Sequence, residues 1–365
     1  MKKLLVLCLL LLFITAGCGK VTKESAVKTF VSDVNGSKSY KINGKMEIVN
    51  NEETFTYSLE AYYLKDNYYK VILVNQTNNH EQIILRNNDG VYVVTPSLNK
   101  SFKFQSEWPF NSSQAYILES LVQDIKNDEN VTMEETENNY ILKSSVNYPN
   151  NTELTYQKIY FDKKMNIESV EVYNKDDIVK IKVAFTNVDL KAGLDNDDFV
   201  LDDLIDDDCC GNVDCTNKNC ENPEMDDTTD NNETPNQTTE NSSSEQTSGS
   251  IESIIYPLYV PTNTHLKTSE KIDTENGERV ILTFSGDKDF ILIEETAKTS
   301  EDFEVIPVFG DPMMVSDTLA ALSANSLSWS TNNIDYYLAS NDLSQEEMIT
   351  IASSIGNTKT VLESK

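Results

Sequence analysis

Thr54-Phe55-Thr56-Tyr57-Ser58-Leu59-Glu60-Ala61-Tyr62-Tyr63 places Phe55, Tyr57, Leu59, Ala61 and Tyr63 on one side of an extended chain and Thr54, Thr56, Ser58 and Glu60 on the other. A period of two is the signature of a strand with one buried face. Working outward, the same signal predicts strands around Tyr40 to Val49, Tyr69 to Asn75, Gln82 to Arg86, Gly90 to Thr95 and Ser101 to Gln105. Asp66-Asn67, Asn78-Asn79 and Asn88-Asp89-Gly90 mark turns between them. Ahead of the strands, Val27, Phe30, Val31 and Val34 recur at helical spacing up to Asn35-Gly36. Behind them, Asn111-Ser112-Ser113 opens a second helix with Leu118, Leu121, Val122 and Ile125 on one face. Strands follow near Asn139 to Ser144, Thr152 to Phe161, Ile167 to Tyr173 and Ile178 to Asn187. The fold class expected is α+β: a curved antiparallel sheet, or half-barrel, packed on helices.

The start of the chain has a different character. Lys2 and Lys3 precede an apolar run from Leu4 to Ile14, then Thr15-Ala16-Gly17-Cys18, the charged, apolar and small-residue order of a secretory signal. The run falls short of the roughly 20 residues that span a bilayer. Ala16-Gly17-Cys18 resembles the lipobox of bacterial lipoproteins. That resemblance implies a diacylglycerol on Cys18, anchorage at the extracytoplasmic face of the cell membrane and a mature chain starting at that residue.

Patterned sequence ends near Asp202. Residues 202–250 are acidic and rich in Asn, Thr and Ser, with too little apolar side chain to repay the entropy of ordering, and read as a disordered linker. The division expected is signal peptide 1–17, tether 18–23, half-barrel 24–201, linker 202–250 and a smaller α+β domain 251–365. Within the linker, Cys209, Cys210, Cys215 and Cys220 form one cluster. An even number in an oxidising compartment reads first as two disulfides, with each of the adjacent pair bonding Cys215 or Cys220. Thiolate metal binding and no defined role remain open, and the spacing lacks the two-residue gap of a zinc knuckle.

The smaller domain opens with Tyr256-Pro257-Leu258-Tyr259-Val260-Pro261. A hairpin is expected from Arg279 to Phe284 and Phe290 to Glu294, then strands at Val305 to Val308, Leu327 to Ser330 and Asp335 to Ala339. Ser344 and Glu347 form a capping box for a last helix, with Met348, Ile351, Ala352 and Ile355 buried and Gly356 at its end.

Composition excludes several classes of function. The net charge of −30 disfavours nucleic acid and anionic lipid surfaces as partners. Only two histidines occur. His80-Glu81 begins a zinc-protease pattern, but Ile84 stands where the second histidine belongs, and His80 reads as a loop residue. No nucleophile elbow or phosphate-binding glycine loop is present, so no enzyme, metal or cofactor is expected.

The stretch Val91-Tyr92-Val93-Val94-Thr95-Pro96-Ser97-Leu98-Asn99-Lys100-Ser101-Phe102-Lys103-Phe104-Gln105-Ser106-Glu107-Trp108-Pro109, with Ser113-Gln114-Ala115-Tyr116 after it, resembles the LolA-like lipoprotein-carrier superfamily, in its Gram-positive sporulation and germination branch. The likeness runs from about Glu24 to Leu201. The layout after the linker is similar to the small α+β domain of some sporulation lipoproteins. Lysine in place of arginine almost throughout, with abundant asparagine, agrees with an AT-rich Gram-positive genome. The resemblance implies a non-enzymatic lipoprotein of the spore or cell envelope that acts through a protein partner, which in related germination lipoproteins is a cortex-processing amidase. It also leaves open a carrier of lipid or lipoprotein acyl chains. Tyr57, Leu59, Tyr63, Tyr92, Phe102, Phe104 and Trp108 would then line an apolar cavity on the concave sheet. The other reading of these seven residues is an ordinary filled core, which we favour because aromatic and β-branched residues are what strands use.

Overall fold

The computed structural model describes residues 21–50, 53–204, 251, 253–274, 277–298 and 303–355. Cys18, the four linker cysteines and Gly356 lie outside the described residues, and with them the signal and helix-end expectations and the linker beyond Leu204; its first residues, Asp202–Leu204, form a short helical turn rather than the expected disordered start.

Helix α1 (Lys23–Gly36) is capped by Thr22, whose side chain accepts from the Ser25 N–H. It buries Ala26, Phe30 and Val34, with Val27 and Val31 partly buried against the same core. Strands β1 (Ser39–Asn50), β2 (Glu53–Leu64), β3 (Tyr68–Asn75), β4 (Glu81–Asn87), β5 (Gly90–Thr95) and β6 (Lys100–Phe104) follow as an antiparallel meander. Asp66 and Asn67 both adopt positive φ, the geometry of a tight hairpin turn. Helix α2 (Leu118–Asn127) buries Leu118, Leu121, Val122 and Ile125, as its spacing predicts. Strands β7 (Thr132–Glu135), β8 (Tyr140–Ser145), β9 (Leu154–Phe161), β10 (Ile167–Asn174) and β11 (Val179–Asp189) complete this half, β11 returning to pair with β1.

One face of the sheet, with Ile42, Tyr57, Leu59, Val71, Ile159, Phe161, Val170 and Val183, shares a single core with both helices, and Phe30 meets Phe161 edge-on at 5.2 Å. The opposite face is polar over most of its area. Its exception is a short cover formed by Asn196–Phe199 and Asp202–Leu204, where Phe199 packs on Leu85 and Tyr92.

The second segment forms a seven-stranded antiparallel sheet in the order β12 (Thr264–Thr274), β13 (Gly277–Gly286), β14 (Phe290–Thr296), β19 (Ile334–Ala339), β18 (Ser326–Thr331), β17 (Thr318–Leu322) and β16 (Asp311–Val315). Helix α3 (Gln345–Ser353) lies on one face through Met348, Ile351 and Ala352, with Ile355 just beyond it. Its capping box is present: the Glu347 N–H donates to the Ser344 hydroxyl at 3.2 Å, and the Ser344 N–H to the Glu347 carboxylate at 2.8 Å.

The two segments are less separate than their composition implies. Strand β15 (Glu304–Val308) leaves the second sheet and adds to the first, pairing parallel with β6 to give the order β15-β6-β5-β4-β3-β2-β1-β11-β10-β9-β8-β7. Leu319 and Ala321 of the second segment belong to the first core.

An apolar cleft between the two sheets

Between the inner face of the half-barrel and the second domain lies a partly open cavity of about 560 Å³. Met46, Ile84, Trp108 and Ile181 come from the half-barrel, and Met313, Met314, Leu319 and Ile349 from the other side. Asn150, Glu153, Lys180 and Glu346 add polar groups. The lining is mixed, with apolar side chains somewhat ahead of polar ones, in a concave site between domains, where small-ligand and side-chain pockets are often found.

Strand parity explains the half-barrel side of the lining. Met46 of β1 and Ile181 of β11 share the inner-face phase with Ile42 and Val183. Trp108 is only 2% exposed and ends an aromatic run: Tyr40 stacks on Tyr63 at 4.9 Å, Tyr63 meets Tyr69 at 5.2 Å, and Tyr69 meets Trp108 edge-on at 6.1 Å. Arg86 fixes the far side of the indole's backbone, donating to the Trp108 carbonyl at 2.6 Å. At the other end of the run, the Tyr40 hydroxyl donates to Glu119 at 2.6 Å. Burial pushes the Glu119 carboxyl up to about 7 against the pull of that hydrogen bond.

The seven aromatic and aliphatic candidates do not gather around the cavity. Trp108 lines it. Tyr57, Leu59 and Phe104 are buried in the main core, and Tyr63 and Phe102 are half-buried against it. Tyr92 points the other way, into the cover with Leu85 and Phe199, because it alternates with Val91 and Val93, which face the core. Among the cavity residues, Met313, Met314, Leu319 and Ile349 carried no sequence signal. They arrive through a contact between segments far apart in the chain, which no local period encodes.

Polar groups hold the two domains in register. The buried Gln82 side chain accepts from the Leu319 N–H at 2.6 Å. The Tyr57 hydroxyl donates to the Ser316 carbonyl at 3.3 Å, and its burial raises its pKa well above the usual phenol value. The Ser106 hydroxyl donates to Asp311 at 2.6 Å, Thr152 donates to Glu346 at 2.5 Å, and Lys100 pairs with Asp335 at 3.7 Å. His80 sits between β3 and β4 with Nε2 buried at this boundary, and burial lowers its pKa. Gln82→Ala leaves the Leu319 N–H buried without an acceptor, so it is expected to cost about 1–3 kcal/mol. Urea unfolding of the full chain would read this loss, and Gln82→Glu at low pH, which restores an acceptor, should recover most of it.

Among the described residues, no cluster of three or more His, Cys, Asp or Glu is arranged to hold a metal. No helix among them is long and apolar enough to cross a membrane.

The chain is thus an α+β protein of two sheets: a curved antiparallel sheet with two helices packed into its inner face, followed by a smaller sheet domain. Within that class, the chain belongs to the family of YdcC-like sporulation proteins, whose model matches residues 1–199. It is 36% identical over 353 residues to the sporulation protein YdcC of Bacillus subtilis (strain 168), covering 96% of each chain. Among solved structures, it is similar to a chain of the MucA/MucB complex of Pseudomonas aeruginosa (10% identity, TM-score 0.30, covering 90% of this chain and 96% of that one). It is also similar to a chain of the complex between the CwlD amidase of Clostridioides difficile and the GerS lipoprotein (18% identity, TM-score 0.28, covering 47% and 96%).

Proposed function

We propose that this sporulation-family protein is tethered outside the cytoplasm through a diacylglycerol on Cys18, has no catalytic chemistry of its own, and works by holding a protein partner of the spore envelope. The observation that carries this reading is the apolar cleft, whose two walls come from different domains and which presents methionine and aliphatic side chains. Methionine adapts its shape to what it meets and is favoured at surfaces that accept varied apolar side chains. A cortex-processing amidase is one candidate partner, since GerS is complexed with the amidase CwlD.

The same cleft supports a second reading, a carrier for an acyl chain. The specific observation in its favour is the cavity volume, about 560 Å³, within the range of small-molecule sites. Native mass spectrometry of the chain from Gly19 onward, purified gently from its own host, separates the two. A co-purifying envelope protein supports partner binding, and a bound lipid of fixed mass supports the carrier. Recovery of neither, from spores that contain the protein, would count against the cleft as a binding site.

Met313→Trp places an indole in the cleft at a side chain that is already half-buried. We expect it to abolish co-purification of whichever species is found, while changing stability by about 1 kcal/mol or less because the volume is added to an open space. Retention of the ligand by this variant would move the site elsewhere.

A further inference from the structure

Strands β1 to β11 are antiparallel and complete a sheet from the first segment alone, leaving β6 as an edge. An edge strand presents unpaired N–H and C=O groups to any extended chain that meets it. In this molecule that chain is β15, in the register Glu304 opposite Lys100 through Val308 opposite Phe104, with the Glu304 N–H also donating to the Asn99 carbonyl at 3.2 Å.

The side chains of β15 add little to this attachment. Val305 is 42% exposed, the adjoining Phe309 is 73% exposed, and Val308 alone of the strand packs, half-buried, against the core. Pro307 has no N–H, but since the Glu304 N–H points at β6 the nitrogen of Pro307 faces outward, so the proline costs this pairing no donor and instead blunts the outer edge of β15. What remains is mostly backbone pairing, at about 0.5–1.5 kcal/mol net for each hydrogen bond. An element held this way sits at the low end of local stability. Its hydrogen bonds are the ones any extended peptide could make.

Its position gives displacement a consequence. β15 runs through Phe309 and Gly310 into β16, where Pro312, Met313 and Met314 wall the cleft. Gly310 has φ +113, and a Cβ there would lie 2.0 Å from the Leu322 carbonyl oxygen, so the crossing from one sheet to the other is tight. Releasing β15 therefore removes one of the ties that hold this wall against the half-barrel, beside the Ser106–Asp311, Tyr57–Ser316 and Gln82–Leu319 hydrogen bonds.

We propose that the β6 edge is the docking site for an extended, β-branched apolar peptide segment of the protein partner, and that β15 is an intramolecular occupant which the partner strand displaces. This rests on the protein-partner reading above and adds where the partner docks and what shape it presents. The chemistry of the segment is taken from the occupant itself: Val305-Ile306-Pro307-Val308, extended and uncharged along its middle.

The test uses the full chain from Gly19 and a fluorescent peptide of residues 303–310, Phe-Glu-Val-Ile-Pro-Val-Phe-Gly. Ile306→Pro removes an N–H that points at β6 and so weakens the hold of β15 on that edge. We expect the peptide to bind this variant about tenfold or more tighter than the unsubstituted chain, a gain of about 1.4 kcal/mol from losing the internal competitor. A peptide N-methylated at the positions of Ile306 and Val308, whose N–H groups face β6, should not bind, and amides of Lys100–Phe104 should exchange faster in the variant and slow again when the unmodified peptide is added. Equal affinity for both proteins, or no binding to a variant whose β6 amides are exposed, would overturn the proposal, as would a variant in which those amides remain protected. If Ile306→Pro instead makes the protein a dimer, the edge takes a second copy of this chain and the peptide-partner proposal fails. Should the variant misfold, excess peptide on the unsubstituted chain must raise exchange at Glu304–Val308, and no rise overturns the proposal. Recovery of a lipid and no protein from the host would remove the partner reading, while peptide capture at β6 would still be measured independently.

Discussion

Glu294→Gln is expected to make the second domain about 2–3 kcal/mol more stable at pH 8 and nearly insensitive to pH between 5 and 8. Glu294 lies on β14, fully buried, with both carboxylate oxygens 3.2 Å from the Ile255 N–H. Burial raises its pKa to about 7, only partly opposed by that hydrogen bond. An acid whose folded pKa is raised stabilises the folded state fully below its unfolded pKa, near 4.5, and that contribution is lost as pH rises through about 7. A shift of this size is worth roughly 3 kcal/mol. Glu278, Asp289, Glu346 and Glu347 have lowered pKa values, so their contributions are present above about 4.5 and are lost only at more acid pH. The interval from pH 5 to 8 therefore belongs to Glu294 in this domain. Glutamine keeps the acceptor for Ile255 and cannot ionise. Urea unfolding followed through Trp329, in a Trp108→Phe background, reads the domain directly, and parallel pH curves for both proteins would show that the carboxylate does not charge the interior.

Phe161→Ala should cost about 3–5 kcal/mol, the range for truncating a buried aromatic ring. Phe161 is 0% exposed at the end of β9, and its contact with Phe30 ties α1 to the sheet. The cavity would lie between a helix and a strand that each have other anchors, so little collapse is expected. Phe161→Leu, which keeps most of the volume, should lose much less. Thermal unfolding of the two variants would distinguish this packing role from a nonspecific loss, which would strike both alike.

The half-barrel was legible because most of its strands obey a period of two. Phe55 to Tyr63 shows the rule: Tyr57, Leu59 and Ala61 are buried, and their neighbours are more exposed. Tyr92 was assigned to the wrong face because β5 is buried on both sides, its outer side covered by Phe199, and a strand buried twice has no alternation to read. β12 was missed for the opposite reason. Thr264–Thr274 is exposed almost throughout, and an edge strand with polar residues on both faces looks like a loop. β7, β16 and β17 are only four or five residues long, too short for a period to stand out. The run Val305 to Val308 was correctly read as a strand, yet nothing within it says which sheet it joins. The cleft inherits that blindness, since half its lining depends on the same long-range contact.

The pairing of β15 with β6 also has a temporal side. The two strands are about 200 residues apart in sequence, and closing so long a loop is entropically costly before its contacts can repay it. The half-barrel core needs only residues of the first segment for nearly all of its packing and can form while the rest of the chain is still being made or exported. Until the second segment arrives, β6 is a bare edge facing other nascent chains, the condition in which strand pairing turns into aggregation. The last strand to dock thus closes off a kinetic hazard that the earlier eleven leave behind, and the protein's yield should depend on how quickly its C-terminal third follows.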